Sequence, residues 1–306
     1  MSLVALTGLP GRVSQAHAAR CAPRLLSCGA VLAFALCFAA EPATADDKRA
    51  EIAQSGRRVE AVQRFKCVEA GQGAAADDTH FYAITNRRIG KYEKGTGKLV
   101  AQWKDAKDGP LRHMNAGVVV DGKLYCAHST WPVQPWVSSV EIWDASTLTH
   151  IGSHSFGDYG GALNWVDWHD GYWWAVFVYY SRKEGPEHVR RTRLVKFDSQ
   201  WRQLASWAFP TELLQRFAPS SNSGGSFGPD GLLYCTGHDR YEIYVLRLPQ
   251  SGSILEWIDT LPAPFAGQAF VWDRSQPGTL YGIAKGHVVE AKIVEPGQSP
   301  AKRLPD

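Results

Sequence analysis

Beyond residue 45 the chain has little sulfur, no long apolar run and no excess of one charge. Cys21, Cys28 and Cys37 lie in the first 45 residues, which leaves only Cys67, Cys126 and Cys235. An odd count without C-x-x-C spacing supports neither a disulfide framework nor a structural zinc site. No run after residue 45 approaches the ~20 apolar residues of a spanning helix. Long helical periodicity is missing as well, which points away from bundles and coiled coils.

The balance of charge excludes a further class. Of the net +3, residues 1–45 carry three arginines and one glutamate, so the remainder stands near +1. That leaves no electrostatic footprint for nucleic acid. Residues 1–45 themselves read as a signal peptide. Arg12, Arg20 and Arg24 precede an apolar run from Leu25 to Ala40, and Ala43-Thr44-Ala45 offers a small-x-small cleavage site. Export to the periplasm or the medium is the expectation, with no membrane span after cleavage.

What the sequence does have is a repeated phrase, a polar turn followed by a short aromatic strand. It reads Asp121-Gly-Lys-Leu-Tyr125-Cys126, Asp170-Gly-Tyr-Trp-Trp-Ala and Asp230-Gly-Leu-Leu-Tyr234-Cys235. Weaker copies occur at Asp78-Thr-His-Phe-Tyr82 and Gly278-Thr-Leu-Tyr281. The spacing, roughly 43 to 60 residues, is that of one four-stranded propeller blade. Third strands end alike, in Glu141-Ile-Trp-Asp144 and Leu194-Val-Lys-Phe-Asp198. The expected fold is therefore all-β, a five-bladed β-propeller, with a β-sandwich as the alternative that evenly spaced strands also fit. The fifth blade lacks an outer strand before the chain ends. The strand Val59–Val68 can supply it and close the ring.

The resulting organisation is a signal peptide over 1–45, an N-terminal helix or linker over 46–58, the propeller over 59–294 and a disordered tail over 295–306. A short helix is expected at Thr211–Phe217, opened by Pro210. Cys126 and Cys235 occupy equivalent strand positions in different blades and read as buried small residues. Trp165, Trp168, Trp173 and Trp174 read as packing between blades.

Register locates the candidate site. In a propeller the first strand of each blade lines the channel, and the loops entering it share a face with those joining second and third strands. Counting back six residues from the turn Asp reaches Gln72, Asn115 and Asn164. In blade four the count lands on Gly224, just after Asn222-Ser223, and in blade five Gln268 lies five before Asp273. These carboxamides suggest a ring of neutral donors and acceptors at the channel mouth, or equally a set of structural bonds between blades.

The same face receives His113, His128 and His238, with Tyr179, Tyr180 and Lys285. Three imidazoles on one rim are candidates for proton transfer near neutral pH or for holding a metal, although no carboxylate stands at a matching position. A loop over 129–138 brings Trp131 and Trp136, whose indoles could cover a sugar-ring face. A second loop brings Arg182, a candidate with Lys285 for holding an anion, or a solvated hairpin tip.

The chain resembles the plant-type glutaminyl cyclotransferases, five-bladed propellers. Phe265-Ala-Gly267-Gln268-Ala269 is similar to that family's Phe-Thr-Gln-Gly-Leu lead into an inner strand. Val120-Asp-Gly-Lys-Leu-Tyr125 and Asp144-Ala-Ser-Thr-Leu-Thr-His-Ile-Gly152 resemble its blade phrase. Where the family has Leu-Tyr-Glu-Ser-Thr-Gly, with its essential acid, this chain reads Leu124-Tyr-Cys-Ala-His128 and Leu233-Tyr-Cys-Thr-Gly237. The resemblance implies the fold, and the missing acid separates the chain from glutamine cyclisation. A looser likeness, to propeller enzymes that lactonise muconates, rests on the architecture.

The functional expectation is a small-molecule or sugar-acid site on the top face. A cyclisation, lyase or lactone-type reaction would use His128, His238 or His113 without an organic cofactor, and a divalent metal at the channel mouth stays open. The alternative is a non-catalytic propeller that binds a protein or glycan. A monomer is expected.

Overall fold

The computed structural model describes residues 55–180 and 186–298. The expected signal peptide, Arg182 and most of the expected N-terminal helix lie outside them. Twenty strands form five four-stranded antiparallel sheets. Strand β1 (Arg58–Lys66) comes first in the chain but belongs to the last blade. Blade one is β2 (Gly73–Ala76), β3 (His80–Thr85), β4 (Arg88–Glu93) and β5 (Leu99–Lys104). Blade two is β6 (His113–Val120), β7 (Lys123–Ser129), β8 (Ser138–Asp144) and β9 (Thr149–Gly157). Blade three is β10 (Ala162–His169), β11 (Tyr172–Val178), β12 (Arg193–Phe197) and β13 (Gln203–Ala208). Blade four is β14 (Asn222–Phe227), β15 (Leu233–Gly237), β16 (Glu242–Arg247) and β17 (Glu256–Pro262). Blade five is β18 (Phe270–Trp272), β19 (Thr279–Ala284) and β20 (His287–Val294), completed by β1.

The sandwich alternative falls away because each sheet touches its two neighbours in a closed cycle. The inner strands follow one another as β2, β6, β10, β14, β18 and back to β2. Strand β1 runs antiparallel to β20 from Arg58 opposite Val294 to Lys66 opposite His287. Its apolar residues Val59 and Phe65 are buried, so the two ends of the propeller close on each other through both ladder and core.

Local chemistry accounts for the repeat. At Asp121-Gly122 and Asp170-Gly171 both residues have positive φ, the conformation a two-residue hairpin turn needs to match strand twist. Near the axis the inner strands approach almost backbone to backbone. A Cβ on Gly73 would lie 2.7 Å from Ala116 Cα, and one on Gly224 would lie 2.4 Å from Ala269 Cα. Only Gly fits at these two positions, each facing an Ala of the next inner strand. Between blades the aromatic residues fill the wider space. Trp165 is fully buried, and its indole N–H donates to Asn222 Oδ1 at 2.6 Å, tying blade three to blade four.

Cys67, Cys126 and Cys235 are buried free thiols. Burial pushes the Cys67 thiol up to about 11 and raises those of Cys126 and Cys235 well above the ordinary value. Among the described residues the helices are α1 (Pro186–Val189) and α2 (Thr211–Phe217), the second with the expected limits. No helix among the described residues is long and apolar enough to cross a membrane.

Candidate functional site

A cavity of about 480 Å³ opens at the channel mouth, within the range of small-ligand pockets. Four of the five register-selected amides reach it, Gln72, Asn115, Asn164 and Gln268. Ser223 takes the blade-four position instead of Asn222. The cause is a β-bulge that recurs at this level of the inner strands. Register shifts fall between Met114 and Gly117, between Leu163 and Trp165, and between Asn222 and Gly224. A bulge re-aims the unpaired residue, here Asn115, Asn164 and Ser223, into the mouth.

Asn222 is correspondingly drawn inward as a brace. Beside accepting from Trp165, its Nδ2 donates to the Gly224 and Thr236 carbonyls at 3.0 and 3.1 Å. The count from Asp230 misplaces this blade because its first hairpin is longer. Phe227 pairs with Leu233 across a five-residue loop, whereas Val120 pairs with Lys123 across two residues. Asn164 is oriented by the same brace, donating from Nδ2 to the Asn222 carbonyl at 2.6 Å. Asn115 is 4% exposed, and its Nδ2 has no hydrogen-bond partner in the protein.

An aromatic wall stands over blades two and three. The His113 ring lies 4.8 Å from Trp131, Trp131 lies 6.0 Å from Tyr180, and Tyr180 meets Trp136 edge-on at 5.8 Å. Trp136 also meets Tyr179 in a T-shaped contact at 5.9 Å, and at 8% exposure it has little face left for a ligand to stack on. Burial, with a smaller push from His128, lowers the His113 pKa to about 4. His113 is therefore a neutral imidazole at pH 7.

The three candidate histidines take three different positions. His238 lines the cavity from the turn after β15. Its Nδ1–H donates to Asp239 Oδ1 at 2.6 Å, which leaves Nε2 as the basic atom. The turn rests on Gly267, whose φ of +78° and closeness to the His238 carbonyl leave no room for a side chain: a Cβ there would lie 2.1 Å from that oxygen.

His128, by contrast, is not at the cavity. It shares a strand face with Cys126, two residues away, and packs between blades one and two. Its Nε2 accepts the Arg112 backbone N–H at 3.1 Å, so Nδ1 carries the proton and donates to Ser139 Oγ at 2.9 Å. Ser139 donates in turn to Glu141 Oε1 at 2.6 Å. Burial lowers the His128 pKa, with Glu141 and Asp105 opposing. The expectation of histidines without carboxylates is corrected on both counts, since Asp239 adjoins His238 and Glu141 reaches His128 through Ser139. Among the described residues no group of three His, Cys, Asp or Glu side chains is placed to hold a metal ion.

Lys285 is also displaced from the expected site. It sits exposed in the two-residue turn between Ala284 and His287, and the Gly286 N–H ties that turn to the Ala70 carbonyl. No lysine or arginine among the described residues lines the cavity. Gln134, Pro132 and Ser220 line it without having been singled out in the sequence, because they belong to loops outside the repeat.

Among solved structures the chain is similar to the glutaminyl cyclase of Myxococcus xanthus. The match has 8% identity, a TM-score of 0.54, and covers 78% of this chain and 97% of that one. The likeness is one of fold. At that level the expected resemblance to glutaminyl-cyclase propellers holds. A luciferin-regenerating enzyme (12% identity, 79% of this chain, 96% of that one, TM-score 0.47) is more remote. So is the PQQ-bound aldose sugar dehydrogenase of Streptomyces coelicolor (8%, 78%, 99%, 0.48). No family model matches the chain, and no curated protein matches it. At the position of the cyclotransferase acid, Cys126 is fully buried among blade-one and blade-two core residues and is not a cavity residue.

Proposed function

We propose that the channel mouth binds a small neutral polar molecule and presents it to His238 for proton transfer. One observation carries the reading, the convergence of register-equivalent polar side chains from all five blades on one cavity walled by aromatic rings. Amides orient by hydrogen bonding, and Trp131 supplies an apolar surface for a ring. The absence of Lys and Arg from the described lining favours a neutral ligand over the sugar acid that the sequence suggested.

In the reaction His238 Nε2 accepts a proton from a ligand O–H or C–H, and Asp239 stabilises the imidazolium that forms. His113, held neutral, serves as a hydrogen-bonding partner rather than as the base. The chemistry fits a cyclisation, elimination or lactone-type step that relies on the protein's own groups. The leader in the sequence supports action outside the cytoplasm.

The test starts from melting temperatures measured with neutral monosaccharides, lactones and lactams, their carboxylate counterparts and an N-terminal glutamine peptide. A ligand that binds only the folded state must raise the melting temperature. For a compound that binds and turns over, His238→Ala should lower kcat by about 10²- to 10⁴-fold with little change in KM. Undiminished turnover in that variant removes His238 from the mechanism.

A further inference from the structure

We infer that the cavity is an acceptor-rich site that selects a neutral ring carrying hydroxyl groups, a saccharide or other cyclic polyol. The inference deepens the proposed function and rests on its reading of the cavity. The lining groups whose direction is fixed are acceptors. Asn164 spends its Nδ2 on the Asn222 carbonyl at 2.6 Å, so its amide cannot flip without setting oxygen against oxygen. Its Oδ1 takes no bond from the described residues and is the atom this cavity-lining side chain has left for a ligand. Asn115 holds the equivalent bulge position on the neighbouring inner strand. Its nitrogen is sealed away from the cavity, so it too offers its oxygen. His238 supplies a third acceptor, because Asp239 engages Nδ1–H and leaves Nε2.

The adaptable groups come from the other three blades. Gln72, Ser223 and Gln268 line the cavity, are only partly buried, and bond through their side chains to no described residue. Their strands adjoin at this level. The Ala269 N–H donates to the Gln72 carbonyl at 3.0 Å, and a Cβ on Gly224 would lie 2.4 Å from Ala269 Cα. Each of the three side chains donates or accepts according to how it turns. Trp131, also partly buried, leaves the wall an apolar surface for the C–H groups of a ring.

The chemistry of the matching ligand follows. Fixed acceptors need a ligand that brings protons. A hydroxyl gives its proton to Asn164, Asn115 or His238 and spends its lone pairs on the adaptable amides and the Ser223 hydroxyl, so both partners are satisfied. A ketone or ether brings lone pairs alone and leaves the fixed oxygens without a partner once water is displaced. An ammonium brings protons, but the described lining holds no Asp or Glu to offset its lost hydration. A carboxylate lacks the protons and finds no cation. A site that hydrogen-bonds a hydroxyl discriminates strongly against the analogue without one.

Ligand-observed NMR titrations would test this with three six-membered rings, trans-1,2-cyclohexanediol, cyclohexanone and trans-2-aminocyclohexanol, the last a cation at neutral pH. The diol should bind about tenfold or more tightly than either counterpart. Asn115→Leu, which removes the acceptor at similar volume, should weaken the diol severalfold and leave the ketone within twofold. His238→Ala should also weaken the diol severalfold. Its side chain is exposed in a turn, so this variant carries the test alone if Asn115→Leu does not fold. Equal or tighter binding of the ketone or the ammonium, or unchanged diol affinity in the variants, overturns the acceptor-rich site while leaving the cavity as a binding site. Failure of all three rings to bind overturns the cavity reading and the polyol inference together.

Discussion

The amide ring and the roof above it meet in one cavity, yet they obey the blade repeat to different degrees. The ring takes one polar residue from each blade at nearly the same level of the inner strand, and bulges aim three of them. The roof comes from loops that differ between blades: Trp131 and Trp136 after β7, Tyr180 after β11, and His238 with Asp239 after β15. Repetition thus builds a frame whose amides are partly spent on holding neighbouring blades together. Departure from repetition brings the groups able to cover a ligand and move its protons.

The sharpest way to break this comparison is at the brace. Asn222→Ala would strand the buried Trp165 N–H and remove the donor shared by the Gly224 and Thr236 carbonyls. Urea unfolding should show a loss of about 4 kcal/mol, from several unsatisfied buried groups. A loss below about 1 kcal/mol would mean that the ring does not tie blades three and four together.

The wall beneath the roof, where His113 opens β6 against Trp131, should reveal itself through pH. Burial holds His113 at about 4 when folded, against 6.5 for the free imidazole, so between these values the unfolded chain binds a proton that the native state does not. Its contribution is complete above pH 6.5 and is lost as pH falls toward 4, by about 3 kcal/mol. His128, lowered mainly by burial, acts in the same direction. His113→Gln should flatten the slope of unfolding free energy between pH 4.5 and 7. An unchanged slope would assign the effect to other groups.

The smallest effect sharpens the boundary of the site. Lys285→Ala should alter stability by less than about 0.5 kcal/mol and leave ligand affinity unchanged, because the side chain is exposed at a turn outside the lining. A marked loss of affinity would return this lysine to the site.

The sequence was legible wherever one chemical requirement recurred. Asp-Gly turns need positive φ, and blade five visibly lacked a strand, so the five blades and their closure by β1 could be read in advance. The ring was legible at Gln72, Asn115, Asn164 and Gln268. It failed at Asn222, since a bulge combined with a longer hairpin shifts direction without leaving a sequence mark. His128 was misplaced for a related reason: its position on β7 is right, but alternation turns its ring between blades one and two, away from the mouth. Asp239 adjoins His238 in the sequence, but it lies outside the blade repeat, so no register position marks it as the partner of that imidazole.

By itself, then, the sequence determined the periodic part of this protein, namely the blade count, the inner-strand register and the face at which the cavity opens. These follow from backbone rules that act over a few residues and are written again in every blade. Tertiary structure alone decided which polar groups brace neighbouring blades and which are left facing the cavity. That distinction separates Asn222 from Asn115 and His128 from His238. It depends on partners from other strands, 58 residues away for the bond between Asn164 and Asn222, which no local pattern encodes.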